Sequence, residues 1–209
     1  MTTKYTDLVH TNLSHVTAPV ALGALENGFT LASAKDFKND IDVLNFALTL
    51  EYLEAEFYRQ GNNANLVSGQ AKKYLHAIQA DEESHVATLT ATIKKLGGTP
   101  VASPAVDYGK SFDSRKSFLT TSHVFENKGV GAYLGAAGYI KDKMILQAAA
   151  GIFGVEARHA AIVGNLLHLH PEGGVYMGAF ETPITKAQVL EAVSPFIVGA
   201  DKMHAAVTL

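Results

Sequence analysis

Hydrophobic residues recur every three or four positions through four long blocks of the chain, and each block reads as one buried face of an α-helix. The first runs from Asp36 to about Gly61, with Asp36 or Asn39 as its cap. It carries a wholly apolar stripe, Val43, Phe46, Leu50, Leu53 and Phe57, beside a second stripe of Leu44, Ala47, Glu51, Glu54 and Tyr58. Gly61-Asn62-Asn63 turns the chain into a second helix from about Ser68 to Leu96, which Gly97-Gly98 and Pro100 stop. A third spans about Ser114 to Ile140, and only Lys141-Asp142 separates it from a fourth, Lys143 to His170, closed by Pro171-Glu172-Gly173-Gly174. The stretch Gly97 to Asp113 has no periodicity and is long for a helix hairpin, so it reads as a crossover along a bundle. These elements predict an all-α four-helix bundle built from two helical hairpins. Residues 1–35 are read as an N-terminal arm, 36–170 as the bundle, and 171–209 as a C-terminal tail with one short helix between Pro183 and Val193.

Charge breaks into the apolar stripes at matching places. The inner face of the second helix is Leu75, Ile78, Glu82, His85, Leu89 and Ile93; that of the fourth is Ile145, Ala149, Ile152, Glu156, His159, Val163 and Leu166. The third presents Leu119, Ser122, Glu126, Val130, Tyr133 and Ala137. An ionised carboxylate on such a face needs a compensating charge, and a metal ion supplies one. Glu83 points about 100° away from Glu82 and is read, with Glu56, as a surface residue. His123 is read as an ordinary helix-face histidine, and His168 and His170 as structural groups near a helix C-terminus, where His interacts favourably with the dipole. Gly129, Gly131, Gly135 and Gly138 each lower helix propensity by roughly 1 kcal/mol relative to Ala, so long-range packing must offset them.

The two halves superpose. Glu51, Tyr58 and Glu82-x-x-His85 in the first hairpin match Glu126, Tyr133 and Glu156-x-x-His159 in the second; Glu to Tyr is seven residues in both, and Glu to Glu is 31 in one and 30 in the other. At about 1.5 Å per residue the four carboxylates lie at one height along the bundle, on helices related by a pseudo-twofold axis. Their summed charge is cancelled by two divalent ions, and two imidazoles make a mixed oxygen and nitrogen set suited to iron or manganese rather than calcium. One Glu from each of two helices with Glu-x-x-His from the other two is the ligand set of di-iron and di-manganese carboxylate bundles. The expected metal ligands are therefore Glu51, Glu82, His85, Glu126, Glu156 and His159, holding two Fe or two Mn ions. Glu51 and Glu126 are read as the carboxylates free to change binding mode. Glu51 also heads the candidate catalytic set with Glu54, Tyr58 and Tyr133. Glu54, one turn on from Glu51, is a further ligand, a proton relay or a lining residue. The tyrosines read first as packing groups, with a hydrogen bond to a ligand or a radical relay as the alternative.

Composition narrows the class of function. A formal net charge of -3 over 209 residues leaves no broad basic surface for nucleic acid or anionic lipid. The chain has no Cys, so any metal must be held by carboxylate, imidazole or carbonyl. No run approaches the roughly 18 apolar residues of a membrane helix, and a soluble protein is expected. Ala32-Ser33-Ala34 after the apolar stretch Val16 to Leu25 has the outline of a signal cleavage site. No basic cluster precedes it, and Glu26 and Asn27 interrupt the apolar run, so the cytoplasm is the expected location and a processed export signal the alternative.

The segments LNFALTLEYLEAEFY, GVGAYLGAA and VEARHAA resemble the bacterial ferritin-like domain family that includes desiccation-related proteins, over about Asp36 to His170. The resemblance implies a ferritin-like four-helix bundle with the first-helix ligand at Glu51 and the others at Glu82, His85, Glu126, Glu156 and His159. Glu54 departs from the simplest pattern of that family. The expected function is redox chemistry on dioxygen or hydrogen peroxide, as in a ferroxidase or oxidase. The alternatives are a manganese catalase-like peroxide dismutase and a non-enzymatic, stress-related protein for metal binding or iron storage. Association into a homo-oligomer is left open by the sequence.

Overall fold

In the structure, a computed structural model that describes residues 36–199, four long helices pack as two hairpins. The expected N-terminal arm, with its cleavage-like Ala32-Ser33-Ala34, and residues 200–209 lie outside the described residues. Helix α1 is Asp40–Asn63, α2 Gly69–Lys95, α3 Arg115–Ala137 and α4 Lys143–Leu166; α1 packs mainly on α2, and α3 on α4. A short helix α5, Lys186–Val193, follows. None of the helices among the described residues is long and apolar enough to cross a membrane.

Side-chain chemistry at the helix starts explains the boundaries. Asn39 accepts the Asp42 amide at 3.0 Å, which starts α1 at Asp40 rather than Asp36. Ser114 and Ser117 form a reciprocal capping box on α3. Asp142 caps α4 through the amides of Met144 and Ile145, at 2.7 and 3.2 Å. Asp40 in turn accepts the Lys141 and Asp142 amides, both at 2.9 Å, and so ties the start of α1 to the turn between α3 and α4. The fourth helix stops at Leu166, short of His170. His168 adopts a left-handed φ of 58°, and the Leu169 amide reaches back to the Gly164 carbonyl at 3.1 Å, a C-terminal motif that usually uses glycine.

The crossover and the tail hold each other. Asp107 N–H donates to the Phe196 carbonyl and Val198 N–H to the Ala105 carbonyl, both at 2.9 Å, and α5 buries Val189 and Val193 against Phe46, Leu50 and Leu53 of α1. This explains the glycines of α3. The Ile184 amide donates to the Gly131 carbonyl at 3.0 Å, and a methyl group at Gly135 would overlap the Ile184 carbonyl oxygen. Gly151 of α4, by contrast, has nothing within 4 Å of where a side chain would begin. Gly151→Ala should therefore stabilise the fold by roughly 0.5–1 kcal/mol through helix propensity. Gly135→Ala should destabilise it by about 1–3 kcal/mol, because overpacking against backbone outweighs that gain. Paired urea melts read both signs, and a Gly135→Ala protein as stable as wild type would show that the tail does not seat on α3 as described.

The core differs along the bundle axis. At the end formed by the α1–α2 turn, Phe57, Tyr108, Phe112, Phe118, Phe125 and Phe196 form an aromatic cluster, with Phe57 and Phe125 centroids 5.0 Å apart. At the other end the core is aliphatic and rich in alanine. The polar residues sit between the two.

Candidate metal centre

Six side chains from four helices converge at mid-height. Glu51, Glu82, Glu126 and Glu156 are fully buried, His159 is 3% exposed, and the His85 side chain reaches solvent along one edge. One ligand atom each from Glu51, Glu82, His85 and Glu156 lies within 4.8 Å of the others, and so do atoms of Glu82, Glu126, Glu156 and His159. The two quartets share Glu82 and Glu156. Glu51 and His85 belong to one only, and Glu126 and His159 to the other.

Hydrogen bonding does not satisfy this cluster. His85 Nδ1 faces Glu82 Oε2 at 3.1 Å, Glu51 Oε2 at 3.2 Å and Glu156 Oε1 at 3.3 Å, and a single N–H serves at most one of them well. His159 Nδ1 lies 2.9 Å from Glu82 Oε1 and 3.4 Å from Glu126 Oε2 without hydrogen-bond geometry to either. Glu82 Oε1, Glu126 Oε2, both Glu156 oxygens and His159 Nδ1 are buried without a partner. Each such orphan costs about 1–3 kcal/mol, more when charged. Carboxylate and imidazole donor atoms converging on a common space are a set that fits divalent cations.

The surrounding groups hold these side chains in place, and they do so across the hairpins. Tyr58 of α1 donates a short hydrogen bond to Glu126 Oε1 of α3 and contacts Ser122 Oγ, while Tyr133 of α3 donates a short one to Glu51 Oε1 of α1. Both tyrosines are thus more than packing groups. His159 Nε2 is 3.1 Å from Asp81 Oδ2, an arrangement that fixes the ring and turns Nδ1 to the centre. Reading the sequence misses Asp81, because its side chain is 55% exposed and carries no periodic signal; adjacency to Glu82 is its only mark. The second half has Val155 in the corresponding place, so the pseudo-twofold symmetry ends there. Glu54 is 4% exposed and joins the same buried group, and Gly129 leaves room for it: a side chain at 129 would begin 3.1 Å from Glu156 Oε2 and 3.4 Å from Glu54 Oε1.

Residues read as peripheral lie outside the centre. Glu83 is exposed and accepts from Gln79 at 2.8 Å, and Glu56 accepts the Arg59 guanidinium Nε–H at 2.6 Å. His123 Nε2 meets the Gly174 carbonyl at 2.8 Å.

Burial, followed by repulsion among the carboxylates, holds Glu54, Glu82 and Glu156 well above the usual carboxylate range. Burial alone would lower both histidines. The carboxylates of Glu156, Glu51 and Glu82 crowded around Nδ1 instead lift His85 to about 12, and Glu126 and its neighbours lift His159 to about 9. Tyr58 and Tyr133 are pushed up by burial and by the carboxylates beside them, which keeps both as neutral donors. Without metal the cluster is therefore a store of protons that cations would displace.

A four-helix bundle with a buried Glu and His cluster at its centre is the architecture of the di-metal carboxylate proteins. A family profile described as "Ferritin-like domain" matches residues 39–169, and the chain belongs to that family. Among solved structures, the chain is similar to a protein described as a ferritin-like, diiron-carboxylate protein of Bacillus anthracis strain Ames. The identity is 26% and the TM-score 0.51, over 61% of this chain and 94% of that one. No curated protein matches the chain significantly.

Proposed function

We propose that the protein is a di-metal carboxylate oxidase of the ferroxidase type, in which Glu51, Glu82, His85, Glu126, Glu156 and His159 hold two iron ions that react with dioxygen or peroxide. The observation that carries this reading is the pair of ligand quartets sharing Glu82 and Glu156, with five buried polar atoms left unsatisfied between them. The four carboxylates of the quartets, when ionised, are neutralised by two divalent ions, so the charge closes at two metals. The mixed oxygen and nitrogen donors favour iron or manganese, and the described "diiron-carboxylate" relative favours iron. Such a pair supplies two electrons to an oxygen species at one place.

The chain's own residues then have distinct tasks. Glu82 and Glu156, common to both quartets, would serve both metals, and Glu51 with His85 and Glu126 with His159 would complete one position each. Tyr133 and Tyr58 orient Glu51 and Glu126 through their hydroxyls, which leaves the second oxygen of each carboxylate for metal. Asp81 holds His159 by its outer nitrogen. Glu54, buried within the cluster one turn on from Glu51, would be placed to pass a proton to an oxygen species at the centre. Stopped-flow mixing of protein loaded anaerobically with Fe(II) against O2 tests the reading. Oxidation should exceed that of Fe(II) in buffer by at least about tenfold, and Glu54→Ala should slow it while leaving metal content unchanged. Peroxide dismutation by the manganese-loaded protein would select the catalase-like alternative; stable metal without turnover would select storage or a structural role.

A further inference from the structure

The core holds an apolar cavity of about 80 Å³ that begins about one helical turn from the candidate centre. Its lining follows the ligands on all four helices. Ala47 is one turn before Glu51, Leu89 one turn after His85, Tyr133 two turns after Glu126, and Ile152 one turn before Glu156. Because neighbouring helices run antiparallel, all four offsets lead toward the same end of the bundle. The cavity continues past Leu44, Ala136, Ile145 and Ala149, about 10 Å along the axis at 1.5 Å per residue. Tyr133, whose hydroxyl donates to Glu51, is the lining residue that joins the cavity to the centre. Its rim includes the exposed residues Thr88 of α2 and Ala148 of α4, where the two helices touch sparingly. The opposite side of the centre is closed by the aromatic cluster.

We infer that this cavity is the route and reservoir by which dioxygen, and not peroxide, reaches the centre. The inference deepens the oxidase reading above and rests on it. The size is well below the about 300–1,000 Å³ of organic-ligand pockets and about half the roughly 150 Å³ of an apolar cavity that takes up benzene or xenon, which leaves space for a small gas molecule. The lining excludes hydrogen peroxide as a resident. Its two O–H groups would lose their water partners against Leu, Ile and Ala, at about 2–7 kcal/mol for each unmatched polar group. Dioxygen is apolar and loses nothing there. A second opening beside the centre, where Glu54 and Lys128 meet Leu53, Phe125 and Val193, amounts to only about 10 Å³, about the space of one water. In the balanced reaction, O2 takes one electron from each of two Fe(II) and two protons from water or Glu54, and leaves as hydrogen peroxide. If peroxide is the oxidant, it takes the same two electrons and two protons to give two waters.

The test has two arms. Crystals of wild-type protein pressurised with xenon should show xenon between Leu44, Ala136, Ala149 and Ile152, with or without metal. Ala149→Phe, which fills the cavity one turn above Ile152, should slow oxidation of the di-Fe(II) protein by O2 about tenfold or more, because gas must then cross a filled core. Its oxidation by H2O2 and its anaerobic metal content should stay at the wild-type level, which also shows that the variant folds. Absence of xenon from the wild-type cavity, or equal slowing of both oxidants by Ala149→Phe, would overturn the route while leaving the oxidase reading intact. Xenon in the cavity of a protein that reacts with neither oxidant would remove the oxidase reading, and the route with it, and leave only a gas-binding void.

Discussion

Glu82→Ala or Glu156→Ala should empty both metal positions together, taking the anaerobic Fe(II) stoichiometry from about two ions per chain to nearly none. Glu51→Ala, His85→Ala, Glu126→Ala and His159→Ala should each remove about one. The difference follows from which atoms are shared: Glu82 and Glu156 stand in both ligand quartets, the other four residues in one each. Glu83→Ala, at an exposed neighbour of Glu82, should bind like wild type. Equilibrium dialysis with metal analysis reads the counts, and thermal melts of the metal-free variants show that each still folds. Equal losses from all six positions would mean that the two metals do not share carboxylates as the geometry indicates.

The metal-free protein should lose stability as pH rises, which is opposite to the usual behaviour of buried carboxylates in ion pairs. Glu54, Glu82 and Glu156 have folded-state pKa values above their ordinary 4.5, first through burial and then through one another's charge. His85 and His159 are likewise raised above 6.5, to about 12 and about 9, because the carboxylates around them overcome the effect of burial. A group with a raised folded pKa contributes fully below its unfolded value and loses that contribution as pH climbs through the folded one. The carboxylate share therefore fades from about pH 4.5 upward, and the His159 share between 6.5 and about 9. The melting temperature of the metal-free protein should drop on the order of 10 °C between pH 5.5 and 9. Glu156→Gln removes one of the crowded charges and should flatten the slope. Bound metal should reverse it, since cations displace these protons and bind better as pH rises. A metal-free melting temperature that is constant or climbs over that window would show that the carboxylates are ionised and paired in some other way.

The bundle and its buried Glu and His cluster were legible because both depend on period. A Glu-x-x-His inside an apolar stripe repeats at Glu82 and Glu156, and helix rise alone carries the four carboxylates to one level. Contacts between helices left no such trace. The crossed hydrogen bonds of Tyr58 to Glu126 and Tyr133 to Glu51 join residues 68 and 82 positions apart, and spacing within a helix records only that the tyrosines face inward. Asp81 reads as one more exposed helix acid until His159 is seen beside it. Which carboxylates are shared was also hidden, since Glu51 and Glu82 sit equally deep in their stripes; convergence assigns the sharing to Glu82 and Glu156. The glycines of α3 signalled close approach without naming the partner, which is the Thr182 to Ile184 backbone at Gly131 and Gly135 and the Glu54 and Glu156 carboxylates at Gly129. The fourth helix ends early because His168 takes a left-handed conformation that sequence patterns assign to glycine.

The most direct test is a crystal structure of the iron-loaded protein with anomalous data on both sides of the iron and manganese edges. Two iron peaks should lie about 3.5–4 Å apart, as in two-metal sites generally, one against Glu51 and His85 and the other against Glu126 and His159, with Glu82 and Glu156 touching both. A single peak, or peaks away from these six residues, would contradict a dinuclear centre in this bundle.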